Sequence, residues 1–280
     1  MSDAMETIGS SLVQHGPGND RVYLMKLHHS DAPEMVSHLE RLACSRGYSK
    51  IFAKVASSGA GRFVASGYLM EASIPCFFPD GAAACFLAKY YSAKRSLERQ
   101  PALVREVLAI AESQQPAALP VQLPAGFTVR VAREEDTPGM AALYGEVFAT
   151  YPFPIHDPAF LAKCMLENTV YFGVWQGERL VALSSAEMEP SSHSAEMTDF
   201  ATLPEYRGHG LALHLLKEME TTVQTRGIRS LFTIARAYSH GMNITFARNG
   251  YRFGGTLTNN TNIFGSLESM NVWYKALAGN

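Results

Sequence analysis

The chain has 280 residues, of which 47% are hydrophobic and 18% charged, and 24 Lys and Arg against 26 Asp and Glu leave a formal net charge of −2. This composition is typical of a water-soluble globular protein, and at roughly 100–200 residues per domain the length suits two domains. A near-neutral chain lacks the basic surface of most nucleic-acid binders, so we expect no nucleic-acid partner. No run of about 18 apolar residues is present, which predicts no membrane partner.

The four cysteines stand singly, without a CxxC pair or a histidine at metal-ligand spacing: Cys44, Cys76, Cys85 and Cys164. They predict buried thiols, at most one of them reactive, and no bound metal. The first twenty residues have neither the basic start nor the apolar core of a signal peptide. These features together predict a cytoplasmic, reducing location.

The predicted boundary between the two domains is the segment 114–126, which carries three prolines and no charge. Proline removes a backbone donor and biases the preceding residue away from helix, so this segment is predicted to be a semi-extended linker. Residues 1–113 would form the N-terminal domain, and residues 127–280 the second domain. Just before the linker, residues 93–112 have helical spacing that Pro101 interrupts, as at the start of a second helix.

Hydrophobic periodicity in the second domain predicts an α+β fold around a mostly antiparallel sheet. In chain order the predicted elements are a strand (127–132), a helix (140–148), three strands (171–175, 179–186 and 195–202), a helix from Leu211, a strand (231–235), a helix (239–249) and two final strands. The helix from Leu211 has Leu215, Met219 and Val223 at four-residue spacing on one face.

An internal repeat relates the two domains. Residues 46–54 match residues 226–234, and residues 63–68 match residues 246–251, each pair joining similar element ends. Chance similarity is the alternative, because the identities are few. If the repeat is real, the N-terminal domain is a partial copy of the second domain that lacks the segment 207–212.

That segment, Arg-Gly-His-Gly-Leu-Ala, lies between a predicted strand and a predicted helix. There, successive backbone N–H groups and the positive end of the helix can converge on an anion, and glycines let phosphate oxygens approach the backbone. The alternative is a glycine-rich turn without a ligand.

With this loop the sequence resembles the Gcn5-related N-acetyltransferase (GNAT) superfamily, whose pyrophosphate motif reads Arg/Gln-x-x-Gly-x-Gly/Ala. Arg207, Gly210 and Ala212 occupy its fixed positions. The resemblance implies a GNAT fold preceded by a smaller α/β domain like a partial GNAT half, with acetyl-CoA as co-substrate and residues 231–235 as a strand that diverges from its neighbour. The residues it implies for cofactor binding are Phe200, Ala201, Thr202, Arg207, Gly208, His209, Gly210, Leu211, Ala212, Ser239, Asn243 and Phe246. Asn243 could equally cap a local turn.

Two carboxylates, Glu196 and Asp199, lie on the strand beside the implied thioester. An amine attacks only as the free base, so the site must accept a proton from an ammonium of pKa near 10. Glu196 falls where histone-acetylating relatives carry their general base. Strand alternation predicts that Asp199 points away from Glu196. We therefore predict Glu196 and Asp199 as the catalytic residues and favour Glu196 as base or water-orienting group. The alternative for Asp199 is a structural acceptor for loop amides, and either residue could instead bind the substrate ammonium.

The sequence departs from the superfamily at Phe246, where many members place a tyrosine that protonates the departing thiolate. Tyr238, Tyr251 or a water could supply the proton, and the sequence leaves the general acid open.

Two further segments are rich in polar and aromatic groups, the proline loop 151–158 and the final strand pair with its asparagine run. Their amides and carboxylate could hold the two ends of an amino acid, whereas the asparagine run could also be a plain hairpin turn and His156 a plain surface histidine. The predicted substrate-binding residues are Tyr151, Phe153, His156, Asn260, Asn262, Glu268 and Asn271.

Four blocks, 151–158, 197–208, 241–246 and 268–275, resemble the β-lysine N6-acetyltransferase family. The resemblance implies Nε-acetyl-β-lysine, a compatible solute, as product, with a lysine 2,3-aminomutase acting upstream. Acetylation of another small amine or a protein lysine, or a non-catalytic acyl-CoA-binding regulator, are the alternatives. For the N-terminal domain we expect a structural or dimer-forming role, with a homodimer possible and without a second acetyl-CoA site.

Overall fold

A computed structural model describes residues 3–115, 122–263 and 265–277 of the chain. The strands are β1 Ala4–Ile8, β2 Ser11–Gly16, β3 Arg21–Lys26, β4 Lys50–Ala56, β5 Leu69–Ile74, β6 Ala84–Tyr90, β7 Phe127–Val131, β8 Thr169–Gln176, β9 Arg179–Glu189, β10 Ser194–Thr202, β11 Ser230–Arg236, β12 Arg252–Ile263 and β13 Ser266–Ala276. The helices are α1 Met35–Arg46, α2 Ser57–Ala65, α3 Ala93–Ser96, α4 Pro101–Glu112, α5 Thr137–Val147, α6 Pro158–Leu166, α7 Leu211–Thr225 and α8 His240–Arg248. None of the helices in these ranges is both long enough and apolar enough to cross a membrane.

The periodicity-based prediction of the second domain is confirmed for every strand and helix that it named. It missed only α6, which follows the proline loop. Pro158 is its first residue and the Asp157 side chain accepts a hydrogen bond from the Ala159 N–H at 3.0 Å, which is ordinary helix-start chemistry. Part of the predicted linker, residues 116–121, lies outside the described residues.

All thirteen strands belong to one mixed, mostly antiparallel sheet, in the order β1-β2-β3-β4-β6-β5-β12-β13-β11-β10-β9-β8-β7. The order read from β2 to β5 recurs, in the opposite direction across the sheet, from β9 to β12. In each half one strand pair is parallel, β3 with β4 and β10 with β11, and a helix, α1 or α7, connects its two members. The matched segments 46–54 and 226–234 lie at equivalent places, where α1 leads into β4 and α7 into β11.

The N-terminal half (the described residues up to 115) and the C-terminal half (from 122) meet where β5 pairs with β12 at Ala72 and Gly255. Each half has its own apolar core. A third apolar cluster joins them by packing Tyr23, Phe52 and Phe86 of the first half with Phe232, Leu257, Met270 and Val272 of the second. The faces of β3 and β4 therefore lie against those of β11 to β13.

Buried cations of the N-terminal half also hold the asparagine run of β12. Arg21 Nη1, Lys50 Nζ and Arg95 Nε donate to the main-chain carbonyls of Asn260, Thr258 and Asn259 at 2.5, 2.8 and 2.7 Å, respectively. Burial lowers the pKa of Lys50 to about 8, opposed by the Glu71 carboxylate 2.8 Å from its ammonium. Buried charges are tolerated only when they are paired and hydrogen-bonded, so these contacts specify one arrangement of the halves.

Candidate active site

A cavity of about 740 Å³, the glycine-loop cavity, opens between β10 and β11. These strands pair in parallel only from Ser194 with Ser230 to Glu196 with Phe232 and then separate, as predicted for β11. The N-terminal ends of α7 and α8 face the space between the separated strands.

The glycine loop gives this cavity its electropositive end. Gly210 is the N-cap of α7 with a φ of 70°, Gly208 has a φ of 84°, and no side chain caps the helix. A Cβ at either glycine would meet no atom within 4 Å, so both positions border open space. Free amides at the start of a 15-residue helix, with the exposed Arg207 beside them, fit a phosphate-bearing ligand.

Most of the predicted cofactor-binding residues line the glycine-loop cavity. They are Phe200, Thr202, Arg207, Gly208, Gly210, Leu211, Ala212 and Ser239. Ala201 and His209 lie next to them in the chain but outside the lining, Ala201 in the core and His209 at the exposed surface. Phe246 is buried and packs edge to face against Phe200, so it supports the wall from behind.

Contrary to the prediction, the side chain of Asn243 cannot bind a cofactor. It is fully buried, its amide nitrogen donates to the carbonyls of Arg236 and Ser239 at 3.0 and 2.7 Å, and its oxygen accepts from Asn271 and Trp273 at 2.9 and 2.8 Å. Every hydrogen-bonding site of the amide is used within the fold. These bonds favour the alternative reading of Asn243 as a cap of a local turn.

A second, smaller cavity of about 100 Å³, the acidic pocket, lies further along β10. Glu196 of β10 lies directly opposite Glu187 in the β9–β10 ladder, and Asp199 completes a group of three carboxylates that line the pocket. The described residues contain no group of three or more His, Cys, Asp or Glu side chains that could hold a metal ion. The three carboxylates of the pocket favour a cationic ligand, such as an ammonium.

The predicted orientation of Asp199 is wrong, because β10 does not alternate regularly there. The pairing with β9 jumps from Thr198 with Ser185 to Ala201 with Leu183, which is a β-bulge, and Asp199 has a φ of 55°. The extra residue turns Asp199 into the pocket that Glu196 also lines. A bulge also leaves a backbone N–H of the bulged strand without a ladder partner.

Hydrogen bonds hold the Asp199 carboxylate in place. Tyr151 donates its hydroxyl to Oδ1, and Ser185 donates to Oδ2 at 2.6 Å. Burial raises the pKa of Asp199, and these bonds oppose the increase. Asp199 is therefore an anchored acceptor in the pocket wall.

Glu196 differs from Asp199, because its carboxylate accepts no hydrogen bond from the described residues. Burial raises the pKa of Glu196 to about 7; the Lys54 ammonium opposes this increase and the Asp199 carboxylate adds to it. Surrounding protein atoms and the carboxylates of Asp199 and Glu196 also raise the pKa of Glu187, although water at the pocket mouth, where Glu187 is exposed, screens this effect. Glu196 is thus the unanchored carboxylate that titrates near neutrality.

The raised pKa of Glu196 has a consequence for stability. The folded chain binds the Glu196 proton more tightly than the unfolded chain does. The contribution of Glu196 to the free energy of unfolding is therefore present at low pH and is lost as the pH rises through about 7. We expect Glu196→Gln to raise the melting temperature at pH 8 by about 3–6 °C and to leave it nearly unchanged at pH 4. Calorimetry at both pH values measures this, with Glu178→Gln, an exposed glutamate in the β8–β9 turn, as control. Equal changes in melting temperature at both pH values would contradict a raised pKa of Glu196 in the folded chain.

The predicted substrate residues divide into two groups. Tyr151, Phe153 and Asn260 line the acidic pocket. Contrary to the prediction, Glu268 instead forms a two-pronged ion pair with Arg236 at 2.8 and 2.9 Å, and Asn271 is fully buried beside Asn243.

The other two predicted substrate residues also lie outside the acidic pocket. The Asn262 amide nitrogen donates to the Gly18 carbonyl at 2.7 Å and so joins the two halves. His156 is exposed and lines none of the cavities described here.

Residues of the N-terminal half complete the acidic pocket, and sequence reasoning missed them. Tyr23 and Met25 of β3 and Phe52 of β4 form a wall of the pocket that the carboxylates also line. They alternate as ordinary core positions of strands, so no local pattern distinguishes them from core. Only the fold of the sheet brings them to the pocket.

Neither tyrosine considered as a general acid lines the glycine-loop cavity. The Tyr238 hydroxyl donates to Glu98 at 2.5 Å, and burial raises the pKa of Tyr251, which packs against Phe246. The proton donor therefore stays open, with Tyr206 as the tyrosine that does line this cavity.

The two cavities are neighbours along one strand. Glu196, Thr198 and Asp199 of β10 line the acidic pocket, and Phe200 and Thr202 line the glycine-loop cavity. An anionic ligand under α7 and a cationic ligand among the carboxylates would meet near the β10 bulge. This arrangement can transfer a group from a phosphate-bearing donor to an amine.

Comparison with known proteins agrees with this geometry. Residues 140–251 match the Acetyltransferase (GNAT) family. The chain is 37% identical over 269 residues to a beta-lysine N(6)-acetyltransferase of Methanococcus maripaludis, covering 96% of this chain and 97% of the relative. It is 38% identical to the N-acetyltransferase YodP of Bacillus subtilis, covering 70% and 71% of the two chains, and 38% identical to a beta-lysine N(6)-acetyltransferase of Methanosarcina mazei, covering 56% and 58%.

These matches confirm the predicted resemblance and the predicted α+β GNAT fold. Acetyltransferases of this family use acetyl-CoA, for which the glycine-loop cavity has suitable residues. The chain therefore belongs to the GNAT family and is an acetyltransferase.

Proposed function

We propose that the protein transfers the acetyl group of acetyl-CoA to the terminal amine of β-lysine, forming Nε-acetyl-β-lysine. The observation that carries this proposal is the acidic pocket, which lies on β10 immediately beside the glycine-loop cavity. Its small volume, about 100 Å³, and its three carboxylates suit a small diamine better than a protein chain. The names of the two beta-lysine N(6)-acetyltransferase relatives support the choice of diamine.

The co-substrate supplies an acetyl group on a thioester, and the glycine loop supplies the means to hold its phosphates. The amides at the start of α7 and the Arg207 guanidinium would bind the pyrophosphate, and Gly208 and Gly210 leave it room. Phe200 and Thr202 on β10 would line the pantetheine arm together with Ser239 at the start of α8. The free N–H at the β10 bulge would donate to the acetyl carbonyl oxygen.

Glu196 is the proposed general base, acting directly or through a water. A base works best when its pKa lies near the operating pH, and that of Glu196 is about 7. Asp199, held by Tyr151 and Ser185, would orient the attacking amine as an acceptor. Glu187 at the pocket mouth would bind the substrate's second ammonium.

We further propose that the two halves of the chain, residues 1–113 and 127–280, act as one catalytic unit. The wall formed by Tyr23, Met25 and Phe52 supports this role for the N-terminal half. A cytoplasmic place of action fits the use of acetyl-CoA, and the product would serve as a compatible solute.

The direct test is an acetylation assay with a panel of amines. The purified protein is incubated with acetyl-CoA and β-lysine, α-lysine or spermidine, and free thiol is followed. We expect the highest kcat/KM for β-lysine. A higher value for spermidine would overturn the substrate assignment, and thiol release with none of them despite tight CoA binding would favour a non-catalytic regulator.

Replacement of Glu196 tests the proposed base. We expect Glu196→Gln to lower kcat by about 100-fold, because general base catalysis contributes about 10²–10⁴. In the wild type, kcat should fall as the pH drops below about 7, since protonated Glu196 cannot accept a proton, and the variant should lose this dependence. A variant with full rate and an unchanged pH profile would exclude Glu196 as the base.

A further inference from the structure

A third cavity, of about 420 Å³, lies in the N-terminal half and is called here the N-terminal cavity. Strands β3 and β4 pair in parallel from Arg21 with Lys50 to Leu24 with Ala53 and then separate. The residues that follow on each strand, 25–27 and 54–56, line the cavity. In the repeat, this space is the counterpart of the glycine-loop cavity between β10 and β11.

The N-terminal cavity differs from its counterpart in the element that would hold phosphates. The helix that follows β3, α1, has Glu34 as its N-cap and no glycine at its start. A carboxylate therefore lies near the position that the glycine loop takes before α7 in the C-terminal half. A diphosphate is disfavoured beside that carboxylate. The cavity therefore suits a smaller ligand group than the one bound in the C-terminal half.

The N-terminal cavity adjoins the acidic pocket, and Met25 lines both. Lys54 of β4 lines the N-terminal cavity, and its ammonium lies 5.1 Å from the centroid of the Phe232 ring. Phe232 pairs with Glu196 across β11 and β10, and Glu196 pairs with Glu187 across β10 and β9. The Lys54 ammonium thus lies near the register of Glu196, three residues before Asp199 on β10, and its charge acts on the Glu196 carboxylate.

Among the described residues, no carboxylate lies within ion-pair distance of the Lys54 ammonium, although Lys54 lines the N-terminal cavity. Lys26 also lines the N-terminal cavity, but its ammonium is 3.0 Å from the Glu189 carboxylate, which lines the cavity too. Ser58 and Gly59, in the first turn of α2, face the same space, and no side chain caps that helix. Both the lysine and the helix end favour a negative group here.

We propose that Lys54 binds the carboxylate of the amino-acid substrate and so selects amino acids over polyamines. This rests on the proposed function and deepens it. In a β-amino acid one methylene separates the carboxylate from the carbon that bears the ammonium. Lys54 can therefore pair with the carboxylate while Glu187 pairs with the nearby ammonium. In this arrangement Lys54 would face the carboxylate of β-lysine and Glu187 its β-ammonium, while Glu196 and Asp199 would face its terminal amine.

The lengths are compatible with this arrangement. Glu187 lies opposite Glu196 in the β9–β10 ladder, and Asp199 is three residues further along β10, at most about 10 Å of strand. The two nitrogens of β-lysine are separated by four carbon atoms, so the side chains of Glu187 and Asp199 can reach one nitrogen each. The terminal amine then lies at the bulge, next to Phe200 and the glycine-loop cavity.

The test compares β-lysine with 1,4-diaminopentane, which keeps both amines at the same spacing and lacks the carboxylate. We expect Lys54→Met to lower kcat/KM for β-lysine by about 10- to 100-fold, the size of a lost hydrogen bond between charged groups, and to leave that for 1,4-diaminopentane unchanged or higher. Lys54→Arg should keep the preference for β-lysine. Lys94→Met removes an exposed lysine of α3 and is the control for loss of charge.

These measurements distinguish failure of the Lys54 proposal from failure of the proposed function. The wild-type rate with β-lysine tests the function alone, and an inactive wild type overturns both. If the wild type is active but Lys54→Met lowers kcat/KM equally for both substrates, or for neither, only the role of Lys54 is overturned. Melting curves establish that each variant is folded, and Lys54→Gln replaces Lys54→Met if the latter does not fold.

Discussion

Gly210→Val should weaken acetyl-CoA binding by at least about 100-fold while leaving the chain folded. Gly210 caps α7 with a φ of 70°, and a Cβ there would stand in the open space of the glycine-loop cavity, where the phosphates are proposed to bind. A valine would fill that space and would also disfavour the left-handed backbone by roughly 1–2 kcal/mol. Loss of two charge-assisted hydrogen bonds from the loop amides accounts for the expected size of the effect.

Gly177→Val is the matched control for Gly210→Val. Gly177 has a φ of 59° in the turn between β8 and β9, and a Cβ there also meets no atom within 4 Å. Both variants carry the same backbone strain, but only Gly210 borders the cavity. Titration calorimetry with acetyl-CoA should show normal binding for Gly177→Val. If Gly210→Val binds as well as Gly177→Val, the loop is a plain turn and the phosphates bind elsewhere.

The glycine loop could be predicted from sequence because its chemistry is local. A strand, two glycines and a helix that starts without a capping side chain are consecutive in the chain, and their geometry follows from backbone preferences. Strands and helices of the second domain were predictable for the same reason, since their hydrophobic periods are short-range. The positions of Arg207, Gly208 and Gly210 on the cavity follow directly from these elements.

The orientation of Asp199 could not be predicted in this way. Period-two alternation holds only while a strand stays regular, and the bulge at residues 199 and 200 shifts all later side chains by one position. An aspartate tolerates the left-handed region better than most residues, but aspartate alone does not signal a bulge. The bulge thus brings Asp199 into the acidic pocket that Glu196 also lines.

The roles of the asparagine run and of Glu268 depended on contacts far apart in sequence. Arg95 and Asn259 exchange hydrogen bonds across 164 positions, and Arg236 occupies both oxygens of Glu268. A polar group that is buried must find a partner, and the sequence alone does not show which partner it finds. The asparagines therefore mainly join the two halves, with Asn260 alone of the predicted asparagines lining the acidic pocket.

The same long-range packing makes the N-terminal half part of the site. Tyr23, Met25, Phe52 and Lys54 come from two strands whose counterparts in the other half, β10 and β11, border the glycine-loop cavity. The repeat thus gives the enzyme two separated strand pairs, one with a phosphate-binding loop and one without. In our proposal the first holds the acetyl donor and the second the carboxylate end of the acceptor.

Gly255→Val should break the contact between β5 of the N-terminal half and β12 of the C-terminal half. Gly255 pairs with Ala72 where β12 meets β5, with a φ of 139° that other residues rarely adopt. A Cβ at Gly255 would collide with the Glu71 carbonyl oxygen and lie 2.6 Å from the Ala72 Cα. Because both are backbone atoms of a paired strand, neither can move aside without breaking the contact between the halves.

We expect Gly255→Val to lower kcat/KM for β-lysine by more than about 100-fold and the melting temperature by about 5–10 °C, as the clash opens the shared apolar cluster. Acetyl-CoA should still bind, within about threefold of the wild type, because every residue lining the glycine-loop cavity belongs to the C-terminal half. Gly227→Val, also at positive φ but with open space around its Cβ, is the control for backbone strain. Full turnover in a Gly255→Val variant that has lost the contact between the halves would show that the C-terminal half acetylates the amine alone, and the wall of Tyr23, Met25 and Phe52 would then have no part in catalysis.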